Sequence, residues 1–152
     1  MTITTAEIKS LRDETGLSVM QCRQALEDAG GDRVKALQIL KEKGATAAEK
    51  KGDRTLGAGV VVSYIHASGT VGAIVELSCE TDFVARNPEF KAVAYDIAMH
   101  IAAMNPTDTG ELLDQDFIKD SSRKVGDLIN GAVQKFGERT EIARFTRFAV
   151  GE

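Results

Sequence analysis

A chain of 152 residues with 43% hydrophobic and 28% charged residues describes a folded globular protein rather than a disordered one, and it holds either one ordinary domain or a very small one followed by a medium one. Its net charge of −4 and pI near 5.3 argue against a nucleic-acid backbone as the main partner, since that contact draws on lysine and arginine. No apolar run reaches the roughly 18 residues a membrane span needs, the amino terminus lacks the basic-then-apolar pattern of a signal peptide, and the isolated Cys22 and Cys79 make neither a disulfide framework nor a zinc pattern; the expectation is a cytosolic protein.

Residues 4–43 read as three short helices. Thr4 with Glu7 forms a capping box and Gly16 closes the first helix. Ser18 with Gln21 repeats the box for the second, which Gly30-Gly31 ends, and Asp32 caps a third that runs to Gly44. Apolar residues recur at helical spacing: Ile8 and Leu11, then Val19, Cys22, Leu26 and Ala29, then Val34, Leu37 and Leu40. Helices this short are unstable alone in water, so mutual packing has to hold them. A compact three-helix module like the ubiquitin-associated (UBA) fold fits.

From Ala45 to Ala58 apolar residues thin out, and Lys50, Lys51, Asp53 and Arg54 crowd among small residues. Continuing helix and tether are both open here, and the stretch is read as a domain boundary. Gly59–His66 and Val71–Cys79 are β-branched runs around the turn signal Ala67-Ser68-Gly69-Thr70, which predicts a hairpin. In the second run Val71, Ala73, Val75, Leu77 and Cys79 share one face. The stripe Phe90, Val93, Ala94, Ile97, Ala98 and Ile101 predicts the helix that covers it.

Between strand and helix lies Glu80-Thr81-Asp82-Phe83-Val84-Ala85-Arg86-Asn87-Pro88. Thr81 suits an N-cap, and Asn87-Pro88 interrupts the turn it starts and opens a new helix. The expectation is a spur of one or two turns carrying an acid, a phenylalanine and an arginine where loops meet partners. Asn105-Pro106 to Gly110 reads as a loop. A last helix carries Val125, Leu128, Ile129, Ala132, Val133 and Phe136, with Gly137 as its cap. Thr140 to Val150 reads as a strand, where Ile142, Phe145 and Phe148 at spacing three call for a bulge.

An enzymatic reading has thin support. His66, Cys79 and Asp82 supply a base, a thiol and an acid, but Cys79 has core-facing parity, and a buried cysteine behaves as a small hydrophobe. His100 flanks its apolar stripe and reads as a helix-surface histidine rather than a ligand. No glycine-rich phosphate loop followed by Lys-Ser/Thr is present, so the chain does not bind GTP that way.

Thr81-Asp82-Phe83-Val84-Ala85-Arg86-Asn87 resembles the signature loop of bacterial translation elongation factor Ts, the nucleotide exchange factor of elongation factor Tu. Leu11-Arg12-Asp13-Glu14-Thr15-Gly16 and Met20-Gln21-Cys22-Arg23-Gln24-Ala25-Leu26 are similar to that family's opening motif. With the ending Arg144-Phe145-Thr146-Arg147-Phe148, the resemblance runs from about Ile8 to the carboxyl end. It departs at Ser18-Val19-Met20, where family members often carry Gly-Met-Met, and at the loop near Asn105, where longer members insert helical sequence.

The resemblance implies an exchange factor that makes and breaks no covalent bond and needs no cofactor or metal. It assigns partner contacts to Leu11, Arg12, Val19 and Met20 of the module and to Thr81, Asp82, Phe83, Val84 and Arg86 of the spur. Asp82 and Phe83 would intrude beside the partner's magnesium site. The expected fold is α+β: a three-helix UBA-like unit over 1–44, a linker over 45–58, and a core over 59–152 in which a small antiparallel sheet packs with helices. A homodimer through that core is expected, because the terminal strand leaves an unpaired edge. The alternative is a UBA-like adaptor that binds peptides or ubiquitin through Gly16-Leu17-Ser18-Val19-Met20.

Overall fold

A computed structural model describes residues 2–152. Three helices open the chain: α1 (Thr5–Thr15), α2 (Val19–Asp28) and α3 (Arg33–Lys50). The capping chemistry is the one the sequence predicts. Thr4 and Glu7 exchange bonds at 2.8 and 3.2 Å, and Ser18 and Gln21 do so at 3.1 Å. Asp32 accepts from Val34 and Lys35 N–H at 3.0 and 3.2 Å. Gly16 closes α1 at φ 71°, a left-handed conformation that glycine adopts without strain. Leu11, Leu17, Cys22, Ala25, Leu26, Ala36 and Leu40 form the shared core.

The third helix does not end at Gly44 as expected; of the two alternatives left open for the stretch that follows, the continuing helix is the one formed as far as Lys50. Gly44 serves closeness, not termination. A Cβ there would lie 3.3 Å from the Asn130 carbonyl and 2.9 Å from the Gln134 side chain, so its absence lets α3 lie tightly on α7 (Val125–Phe136).

The remaining elements are β1 (Ala58–Ile65), β2 (Val71–Cys79), α4 (Asp82–Ala85), α5 (Pro88–Met104), α6 (Thr109–Asp114), β3 (Asp116–Phe117), β4 (Asp120–Lys124), α7 and β5 (Glu141–Ala149). The protein is α+β, with an antiparallel sheet in the order β1-β2-β5 and a small β3-β4 hairpin. Ala73, Val75, Leu77 and Cys79 of β2 face Phe90, Ala94, Ile97, Ala98 and Ile101 of α5 in one core, joined by Leu112, Val125, Ile129 and Ile142.

The bulge in β5 is present. Glu76 pairs with Arg144 and Leu77 with Ile142, which leaves Ala143 unpaired and turns both Ile142 and Phe145 inward. Beyond the bulge the alternation is regular, so Phe148 falls on the other face and is 74% exposed. Val61, Ile65 and Ile74 share that uncovered face, with Ile65 and Phe148 flanking Gly72 across the three strands.

Two other expectations are corrected. The loop expected to Gly110 is overtaken at Thr109 by α6, capped by Asp108 through the Glu111 N–H at 2.8 Å. His100 is not on the surface. It is fully buried, with Nδ1 accepting from the Ile118 N–H at 3.1 Å and the other ring nitrogen facing Gln115 Oε1 at 2.9 Å. A backbone N–H only donates, so Nδ1 is unprotonated and the neutral ring carries its hydrogen on Nε2. Burial pushes the imidazole pKa down, and the Gln115 bond opposes that shift. This histidine pins the β3-β4 hairpin to α5.

Candidate partner-binding site

The spur forms where the sequence places it. Thr81 is extended, at φ −130° and ψ 154°, and its hydroxyl accepts from the Val84 N–H at 3.4 Å. The single turn of α4 follows. Asn87 Oδ1 then accepts from the Glu89 N–H at 2.8 Å, and Pro88 opens α5. Successive helix residues are rotated by about 100°, so one turn divides its side chains. Val84 and Ala85 sink into the core, whereas Asp82, Phe83 and Arg86 stand in solvent. Phe83 is 86% exposed, the most exposed large hydrophobic side chain among the described residues. A phenyl ring in water on a turn pinned at both ends is an aromatic without an internal structural role.

Beneath the spur the end of β2 and the loop after α7 are tied together. Glu138 accepts from the N–H groups of Glu80 and Thr81, each at 3.0 Å, and from the Thr81 hydroxyl at 2.6 Å. Glu80 in return accepts from the Arg139 N–H at 2.5 Å and lies 3.6 Å from the Arg54 guanidinium. The Arg139 side chain donates to the Arg54 carbonyl at 2.6 Å.

Cys79 sits below this knot, fully buried, its thiol donating to the Thr81 carbonyl at 3.3 Å. Burial pushes its pKa up, and the charge of Glu138 adds to the rise. The Cys79–His66–Asp82 constellation does not assemble. Cys79 pairs with Ala58 at one end of the hairpin, and His66, bonded to Ser68 at 2.9 Å, lies at the other, about 26 Å away at the usual strand rise. Among the described residues no cluster of His, Cys, Asp and Glu is arranged to hold a metal, and no helix is long and apolar enough to cross a membrane.

On the helical module Met20 is 82% exposed, and Val19 and Arg12 also reach solvent. Leu11 is fully buried and Leu17 nearly so, so neither offers surface. Leu11 and Val84 therefore support the exposed α1–α2 turn and the spur from within. Lys135 of α7 connects those regions: its ammonium bonds Glu89 at 2.7 Å, just past the spur, and lies against Gly16 in the α1–α2 turn. A separate cleft of about 410 Å³ between α3 and α7 is lined by Val34, Leu37, Lys41, Asp127, Asn130 and Gln134, with Asp120 and Ser122 of β4 at its rim.

Known proteins share this chain's pattern. The family model "Elongation factor TS" matches residues 33–111. The elongation factor Ts of Thermodesulfovibrio yellowstonii is 40% identical over 196 positions, covering 100% of this chain and 98% of the relative. That of Thermotoga petrophila is 39% identical over 188 positions, 95% and 94% of the two chains. Both alignments are longer than the 152-residue chain, so these relatives carry sequence without a counterpart here. The role is that of a translation elongation factor. The chain belongs to the elongation factor Ts family.

Proposed function

We propose that this chain is a guanine-nucleotide exchange factor that speeds GDP release from elongation factor Tu without covalent chemistry of its own. The observation that carries the reading is Phe83, a solvated aromatic on a turn anchored at both ends. Family membership supplies the partner, and the chain is read as working beside it in the cytoplasm.

Two grips follow. Arg12, Val19 and Met20, backed by Leu11, present the three-helix unit, which we read as UBA-like and as a domain distinct from the core. Asp82, Phe83 and Arg86, set by Thr81 and Val84, present the spur. An aromatic pushed between packed helices is not absorbed smoothly, because close-packed interiors move between discrete arrangements. The shift displaces groups that hold magnesium and the β-phosphate in the partner, and GDP leaves. Coupling is reciprocal, so returning nucleotide displaces the factor.

A second copy of the chain is the other partner in this reading. The sheet order leaves β5 an edge, and Val61, Ile65, Ile74 and Phe148 make an uncovered apolar face beside it. A two-fold contact would cover both.

The test is release of labelled GDP from elongation factor Tu with and without the protein. An unchanged rate sinks the exchange reading. The exposed Val19-Met20 pair also suits a peptide- or ubiquitin-binding adaptor; capture of ubiquitin-like protein with no effect on GDP release would favour that reading instead.

A further inference from the structure

We propose that Glu138, which lies 57 residues from Thr81 along the chain and presents no partner contact in the reading above, is the residue that pre-orders the spur for exchange; this rests on the proposed exchange function. Gly137 ends α7 in the left-handed region, at φ 73°, a turn that glycine makes without strain. The chain swings off the helix there, and the next side chain reaches across to the end of β2. Its carboxylate takes up three donors at once, the N–H groups of Glu80 and Thr81 and the Thr81 hydroxyl.

The hydroxyl bond decides the geometry. A threonine hydroxyl has one hydrogen and two lone pairs. Its hydrogen is directed at Glu138 at 2.6 Å, so a lone pair is left to receive the Val84 N–H at 3.4 Å. The cap that starts α4 is thus oriented by a residue outside it. A four-residue helix cannot hold itself, since its nucleus fixes several dihedrals for one hydrogen bond. Without Glu138 two backbone N–H groups lose their acceptor and the cap loses its orientation. The turn bearing Phe83 would then be ordered only on contact, at a cost in binding and in wedge placement.

The anchor also fixes where the spur stands. Glu138 follows α7 directly, and α7 carries α3 through the Lys41–Asp127 ion pair at 3.3 Å and the Gly44 contact. Spur and helical module are therefore fastened to the same helix. Glu138 is a positioning residue for the pair of grips.

The experiment uses the full chain with Glu138→Ala and Glu138→Gln, reading three quantities: hydrogen exchange of the backbone amides of residues 80–84, thermal melting, and the maximal rate of GDP release from elongation factor Tu at saturating factor. Glu138→Ala should expose those amides and lower the maximal rate about tenfold, while amides of residues 22–26 keep their protection. Glu138→Gln keeps a carbonyl acceptor for the Glu80 and Thr81 N–H groups but sets an NH2 donor where the Thr81 hydroxyl donates, so it should restore protection at residues 80 and 81 and give a rate between Glu138→Ala and the unmodified chain. Unchanged protection overturns the proposal. So does lost protection with an unchanged maximal rate, because the spur would then need no pre-ordering. If Glu138→Ala fails to fold, Glu138→Asp replaces it: one methylene short, it should lose protection relative to Glu138→Gln, and equal protection refutes the clamp. Should the unmodified chain leave GDP release untouched, the exchange reading fails on its own, while the amide data still report whether Glu138 orders the turn.

Discussion

Truncating Phe83 to alanine separates binding energy from folding energy, because the ring contributes to one and almost nothing to the other. At 86% exposure it buries little area within the chain, so hydrophobic stabilisation is scarcely touched. Alanine is the better helix former by a few tenths of a kcal/mol, so Phe83→Ala should melt at or slightly above the unmodified protein. At an interface the same ring is an anchor of the kind that costs about 2–4 kcal/mol on truncation. With tenfold per 1.4 kcal/mol, that is a loss of roughly 30-fold to several hundredfold in exchange efficiency. Phe90→Ala is the opposing control: fully buried and packed edge-to-face on Phe136 at 5.6 Å, it should cost about 3–5 kcal/mol of stability. The assay is labelled-GDP release from elongation factor Tu against factor concentration, paired with thermal melts. Wild-type efficiency in Phe83→Ala would falsify the wedge, and a large drop in melting temperature would show that the ring belongs to the fold after all.

Four further outcomes follow from the same geometry. Asp82→Ala should slow GDP release less than Phe83→Ala and leave melting unchanged, since Thr81 and not Asp82 caps the turn; lost stability with full activity would reverse that assignment. Met20→Ser should raise the factor concentration needed for half-maximal exchange without altering the melt, because the side chain is 82% exposed; an unchanged titration removes Met20 from the contact. The lowered pKa of buried His100 means the unfolded chain binds more protons between that value and about 6.5, so stability should rise with pH across that window, fall as pH drops through it, and level off below the folded pKa. His100→Gln should flatten this slope in denaturant titrations, and a slope that persists assigns it elsewhere. Phe148→Glu should turn a sedimenting dimer into a species near the 16.3 kDa chain mass, whereas a monomer before the change refutes the two-copy reading.

What the sequence made legible is what short-range chemistry decides. Both capping boxes, the Gly16 cap, the Thr81 turn and the Asn87-Pro88 break depend on residues within four positions of one another, and each appears in the structure. The β5 bulge could be seen because a period of three cannot persist in a strand of period two. The helix α6 was missed although its signal is local, Asp108 three residues before Glu111, the pattern of a capped helix start. The misreadings have a different origin. Gly44 looked like a stop because glycine ends helices by local rule, whereas its role is set by Asn130 and Gln134, brought there by packing. His100 looked superficial because its partners, Gln115 and Ile118, come from a hairpin whose strand β4 is polar and exposed throughout. Leu11 and Val84 fell within motifs whose neighbours are exposed, and a motif does not say which of its members faces inward.

The fastening of the two grips lay furthest from view, because it passes through side chains that carry no pattern. A wedge on one helical turn delivers force only if the turn has a stiff seat, and a second grip helps only if its distance from the first is fixed. Helix α7 meets both needs through ordinary polar residues: Asp127 and Asn130 toward α3, Lys135 toward the α1–α2 turn and Glu89, and Glu138 just past its end toward Thr81. Lys135 at an exposed position would be a weak contact, worth a fraction of a kcal/mol to folding. Its value lies in placement, since it touches the neighbourhoods of both grips at once. In the exchange reading proposed above, the spur and the module act on one partner as a single rigid jaw only while α7 keeps these polar ties, and that stiffness rests on the residues that contribute least to the hydrophobic core.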